Sequence, residues 1–253
     1  MDDSNEKTED NTNTDGSGLM GWINAFGRGI GTAFGAYVIA LFVIYMLRDT
    51  VLFASDPSSS IIQVAGLVAE FSIIGVSILV AAYVFKVNEY IDFSKPNVSD
   101  LKIVLIAVGI MLVLQVLSTV FTTVFSIESA SNVVVEQGES NPIYFLYLIP
   151  VMLIFVGPVE EYVFRGVIQS TFTRFVNFKI GIVFASISFG LIHISATGGP
   201  SLESIPYVVT ASLLGGVLGY YYEETGNIIV PMLAHGVYNS ILMFIIFLSL
   251  QFG

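Results

Sequence analysis

Six residues carry the chemistry that this sequence can offer: Glu160, Glu161, Arg165, His193, His235 and Asn239. Glu161 and Arg165 stand four apart, which on a helix places them on one face as an ion pair. Glu160 is turned about 100° from that face. One carboxylate is then left free in apolar surroundings, the profile of a general base. The chain has two histidines, and both fall in apolar runs. Asn239 follows His235 at helical spacing, so the two project together. The plainer readings are a solvated ion cluster at a membrane boundary for residues 160–165 and hydrogen-bonded core residues for the histidines. Peptide hydrolysis needs an activated water and donors for a developing oxyanion. There is no cysteine and no Gly-x-Ser-x-Gly elbow, so covalent routes have little support. The short zinc motif His-Glu-x-x-His is missing as well.

The elements that must position these groups follow from composition. Of 253 residues, 55% are hydrophobic and 11% charged, against about 45–50% and about 25% in soluble domains. This indicates a polytopic membrane protein. Apolar runs at 30–47, 61–85, 103–125, 143–176, 179–195, 204–222 and 227–250 predict an all-α bundle of seven spans around a water-accessible intramembrane cavity. The count becomes eight if the long fourth run divides. The polar end of that run, Gln169 to Arg174, is expected to leave the hydrocarbon. Residues 1–20 form an acidic tail, with Asp2, Asp3, Glu6, Glu9, Asp10 and Asp15 against Lys7, and read as disordered. Residues 21–130 hold spans without motifs, and 140–250 hold the candidate chemistry. A net charge of −11 excludes nucleic acid as the main partner. The basic residues favour a cytoplasmic amino terminus and an external carboxyl terminus. Lys7, Arg28, Lys86, Lys95, Lys102, Arg174 and Lys179 then lie inside, with Arg48 alone in an outer loop.

Helix rise tests whether the six residues can meet. A turn near 175–178 leaves Glu160 and His193 each ~22 Å from it, so an antiparallel hairpin sets them level. His235 joins them in the inner half of the membrane if that hairpin protrudes by ~10 Å. The Gly- and Ser-containing stretch after His193 would then be irregular backbone near membrane depth, which must be buried in protein or line water. Two glycine series at four-residue spacing, Gly27/Gly31/Gly35 and Gly215/Gly219, predict close helix packing. Glu70 is a further intramembrane acid, read as lateral packing or snorkelling ahead of function.

Glu160-Glu161-x-x-x-Arg165, Phe189-x-x-x-His193 and His235-x-x-x-Asn239, in that order, resemble the three motifs of the CAAX prenyl protease and bacteriocin-processing (Abi) family of intramembrane proteases. Phe164-Arg165-Gly166, Gly215-Gly216-Val217-Leu218-Gly219-Tyr220 and Thr225-Gly226-Asn227 agree with it, so that the resemblance covers roughly residues 140–245. It implies an endopeptidase acting on membrane-associated or prenylated substrates. Glu160 and His193 would activate water, His235 and Asn239 would stabilise the oxyanion, and Glu161 and Arg165 would hold the local structure. It leaves the cofactor open. Zinc on Glu160, His193 and His235 is one candidate, and the balance falls slightly against an obligatory metal. The partners implied are membrane lipid and a peptide or protein substrate, lipidated or not. The rival readings are a catalytically silent scaffold or immunity protein of the same fold, and a transporter using Glu70 and Glu160 as a relay.

Overall fold

The computed structural model describes residues 18–47 and 59–252, and the acidic-tail expectation, as far as residue 17, lies outside them. Arg48 does too. The described residues form seven helices long and apolar enough to cross a membrane. They are α1 Leu19–Leu47, α2 Ser60–Val84, α3 Val98–Val124, α5 Ile143–Phe175, α6 Phe178–Thr197, α7 Leu202–Thr225 and α8 Ile229–Phe252. A short helix between spans, Val133–Gly138, is α4. Helix is the form that satisfies every backbone group internally in lipid, and among the described residues no strand forms. The protein is therefore an all-α polytopic bundle, with seven spans among the described residues and not eight.

Local chemistry sets the helix ends. Asn97 opens α3 with a capping box completed by Asp100. The side chain of Asn177 accepts from Ile180 N and restarts the chain as α6 two residues after α5 stops. Gly226, at φ 65°, closes α7 in the left-handed conformation that favours glycine. α1 starts earlier than hydropathy alone predicts, at Leu19 rather than near residue 30. Its first turns present Trp22 and Phe26, whose rings pack on Phe172 and Phe184.

The long fourth run stays one helix of 33 residues. It is the most buried span, with 39% of its apolar window inside the protein, so α5 is the centre of the bundle. Two stretches widen to π-helical turns, Met152–Val156 and Tyr162–Gln169. The first relieves the clash that Pro158 would make with the Ile154 carbonyl of a regular helix. Glu160 and Glu161 lie on the regular turn between them, and such widened turns are frequent at functional sites. The polar end of α5 is only partly turned out to solvent, with Arg174 exposed and Thr173 half-buried. Gln169, Ser170 and Thr171 are buried. Ser170 and Thr171 return their hydroxyls to the carbonyls of Gly166 and Val167.

The glycine series divide. A Cβ on Gly27 or Gly35 meets nothing within 4 Å, and one on Gly31 meets only Phe26 O of its own helix at 3.6 Å. That series packs no neighbouring helix among the described residues. Gly29 does, against Thr171. Gly215 and Gly219 behave as expected, with Arg165 Nη2 and Gln169 Oε1 pressed to 3.3 and 2.7 Å of the missing Cβ positions.

A close backbone approach between α5 and α8 involves glycines that the spacing pattern did not single out. A Cβ on Gly157 would lie 2.9 Å from Gly236 N and 3.0 Å from Met232 O. Both obstacles are backbone of α8 and cannot rotate away. Gly157→Ala is therefore expected to force α5 and α8 apart, at about 1–3 kcal/mol. Thermal unfolding in detergent reads this, with Gly35→Ala as the control that leaves the midpoint in place.

Candidate active site

The six residues read from the sequence converge. Glu161 is fully buried, and Arg165 Nη1 donates to its Oε1 at 2.8 Å. His235 Nδ1 donates to the same oxygen at 2.7 Å. Glu161 thus ties the third motif to the first, a contact across 74 residues that spacing could not reveal. Arg165 Nη2 donates to Gly215 O at 2.8 Å, and its guanidinium lies 4.9 Å from the centre of the Phe189 ring. That ring also stands edge-on to His235 and tilted against His193.

Below this knot runs a polar ladder. Gln169 Nε2 donates to Gly219 O at 2.8 Å and to Glu223 Oε1 at 2.9 Å, and Thr173 Oγ1 donates to the same Glu223 oxygen. Glu161, Arg165, Gln169 and Thr173 on α5 step by four. They face Gly215, Gly219 and Glu223, which step by four on α7. The absent side chains leave the two glycine carbonyls open to a second hydrogen bond. Sequence reading took the two glycines but missed Gln169 and Glu223, although the shared spacing was the signal.

Glu160 and the histidines are held differently. Glu160 faces away from the ion pair, its side chain 20% exposed, with Oε2 3.8 Å from His235 Nε2. That is too long for a hydrogen bond, and no described group donates to this oxygen. His193 closes the regular part of α6, its Nδ1 donating to Phe189 O at 2.7 Å. The acceptors fix the tautomers. With Nδ1–H engaged in both rings, each neutral ring presents Nε2 as an acceptor. Asn239, one turn past His235, is half-buried, and its side-chain amide makes no hydrogen bond to described residues.

Glu160, His193, His235 and Asn239 line one cavity of about 820 Å³, to which all seven spanning helices contribute. This is the size range of small-ligand sites. The chain after His193 forms short 3-10 turns around Gly198 and Gly199, both at positive φ, and Ser195 and Ala196 reach the same cavity. The irregular backbone expected there is present. On the far side α4 approaches, and Asn132 Nδ2 donates to Tyr207 Oη at 2.7 Å over the cavity. Glu70, read as packing, also lies on the cavity wall.

The residues do not gather as a metal site. Among the described residues no three His, Asp or Glu side chains stand close enough to hold an ion. Nδ1 of each histidine is committed to a protein acceptor, and Glu161 is shared between Arg165 and His235.

Fold and site together define a multi-pass α-helical membrane protein with a Glu/His/Asn cluster sunk in an intramembrane cavity. Residues 142–241 match the family model described as Type II CAAX prenyl endopeptidase Rce1-like, so the resemblance read from the three motifs holds over that stretch. The chain is also similar to an uncharacterized protein of Mycoplasma capricolum subsp. capricolum, 32% identical over 115 residues, which is 45% of this chain. The chain spans about a third of that relative, 32% of its length. No solved structure matches.

Proposed function

We propose that this protein is an intramembrane endopeptidase in which Glu160 activates water. The observation that carries this reading is the free Glu160 carboxylate in a cavity shared with His193, His235 and Asn239. Glu160 takes a proton from water, with His193 on the wall of the same cavity, and the water oxygen attacks the scissile carbonyl carbon. The Asn239 amide donates to the oxyanion as a neutral group. His235 adds a second donor at Nε2 only when its ring carries both protons, because Nδ1–H is given to Glu161. Glu160 then passes its proton to the leaving nitrogen, the C–N bond breaks, and a carboxylic acid and an amine remain. Glu161 and Arg165 position His235 and do not touch substrate.

The substrate is a membrane-associated segment, a prenylated tail being one such class, cut from the cytoplasmic side. Support for the orientation comes from one end of the bundle. There Arg28 and Arg174 meet Tyr90 of the 85–97 loop, and Arg28 stacks on Phe175, which suits a positive inner face.

The test is cleavage of membrane-anchored reporter peptides by the purified chain in liposomes. Asn239→Ala is expected to lower kcat by about 10²–10³ with little change in KM, the signature of a lost oxyanion donor. Cleavage should survive a chelator. If the chelator stops it and zinc restores it, the metal-free route is wrong although the protease reading stands. Flux of ions through the same liposomes that is indifferent to Asn239→Ala would instead favour the transporter.

A further inference from the structure

The cavity has a charge imbalance that the proposed reaction does not use. Two carboxylates face it, Glu160 from α5 and Glu70 from α2, and no Lys or Arg side chain among the described residues lines it. The nearest guanidinium, that of Arg165, is turned into the protein and engaged by Glu161 and the Gly215 carbonyl. Glu70 lies ten residues into the 25-residue α2, with Leu67, Phe71 and Ile74 beside it on the wall. It forms no hydrogen bond or ion pair with described residues, and it is half-buried on the cavity wall. Tyr37 on α1 shares that wall.

A carboxylate at this depth is costly and calls for a counter-charge. A lateral packing residue would be sealed against a neighbouring helix, and a snorkelling one would lie at the end of a span. Glu70 does neither. The described residues supply no cation to meet it, so the complement must come with whatever fills the cavity. We infer that Glu70 is a specificity-determining residue that pairs with a Lys or Arg side chain of the substrate segment seated in the cavity. The inference rests on the protease reading and narrows its substrate class to segments carrying a cation near the scissile bond. The apolar walls accept the stem of a Lys or Arg side chain while the carboxylate takes its charged head.

The experiment uses the full chain in detergent and a set of reporters with Lys, Gln or Glu stepped through the positions flanking the cut. At one position the Lys reporter is expected to exceed the Gln reporter in kcat/KM by about tenfold or more. Glu70→Gln should collapse that ratio, and Glu70→Lys should reverse it in favour of the Glu reporter. A ratio that is the same in the parent protein and in Glu70→Gln at every position overturns the inference, and a uniform loss across all reporters assigns Glu70 a structural role instead. Should the parent protein cut no reporter faster than Glu160→Gln does, the protease reading fails. Binding of the same Lys and Gln reporters to Glu160→Gln then decides the inference separately. Tighter binding of the Lys reporter that vanishes on adding Glu70→Gln supports it, and equal binding overturns it.

Discussion

Glu160→Gln is expected to reduce reporter cleavage by about 10²–10⁴, the range associated with loss of a general base, while leaving the protein folded. The two halves of that expectation have separate causes. The amide keeps the size and shape of the carboxylate but cannot accept and return the water proton. No described group donates to the buried Glu160 Oε2, so the fold loses no hydrogen bond there when the charge goes. Glu161 is the internal contrast. It is the next residue along and has the same chemical type, yet it is fully buried and holds both Arg165 and His235. Glu161→Gln should therefore lower stability as well as activity, and the ratio of the two effects separates the reacting carboxylate from the positioning one. His193→Ala should resemble Glu160→Gln in activity. Full cleavage in both Glu160→Gln and His193→Ala is the result that removes the proposed mechanism. In cells, the protein termini that vanish with Glu160→Gln name the substrate.

The split between what was and was not legible in the sequence follows the range of each interaction. Ion pairing of Glu161 with Arg165 was legible because four residues of helix bring them together regardless of tertiary context. The seven spans were legible for a similar reason, since lipid forces each long apolar run to satisfy its own backbone. Helix rise and two turns allowed Glu160 and His235 to converge only on the condition that the α5–α6 hairpin protrudes, and they stand 3.8 Å apart. The Glu161–His235 hydrogen bond was not legible. Two carboxylates stand on one turn of α5, and the widened turns on either side set which of them meets His235. The Gly27 series misled because close packing and lipid exposure share one spacing pattern, and only contact distinguishes them. The place of Glu70 on the cavity wall was not legible either. Its wall position depends on how α1, α2 and α5 surround the cavity, which no local pattern encodes.

The largest effect on folding should come from Arg165→Met. The guanidinium is fully buried, as is Glu161, and the His235 side chain is 4% exposed. Removing one partner of a buried pair leaves an uncompensated charge, at about 3–5 kcal/mol. The long apolar Met side chain refills the volume, so the loss reads the charge and not a cavity. Arg165→Lys is not conservative here, since one ammonium cannot reach both Glu161 Oε1 and the Gly215 carbonyl as the planar fork does. Pairing Arg165→Met with Glu161→Gln removes both charges. The double variant should regain much of the stability lost by Arg165→Met, a coupling of about 0.5–3 kcal/mol. Activity should not return with it. The neutral amide introduced by Glu161→Gln still offers His235 an acceptor but no longer a charged one, so the ring that faces Glu160 loses its electrostatic anchor. Thermal unfolding in detergent and reporter cleavage, measured on the same four proteins, give the two cycles side by side. Recovery of stability without recovery of cleavage assigns the triad of Glu161, Arg165 and His235 to positioning. If Arg165→Met unfolds at the parent temperature, the guanidinium is not what keeps Glu161 buried, and the bundle must tolerate that charge through water reaching it from the cavity.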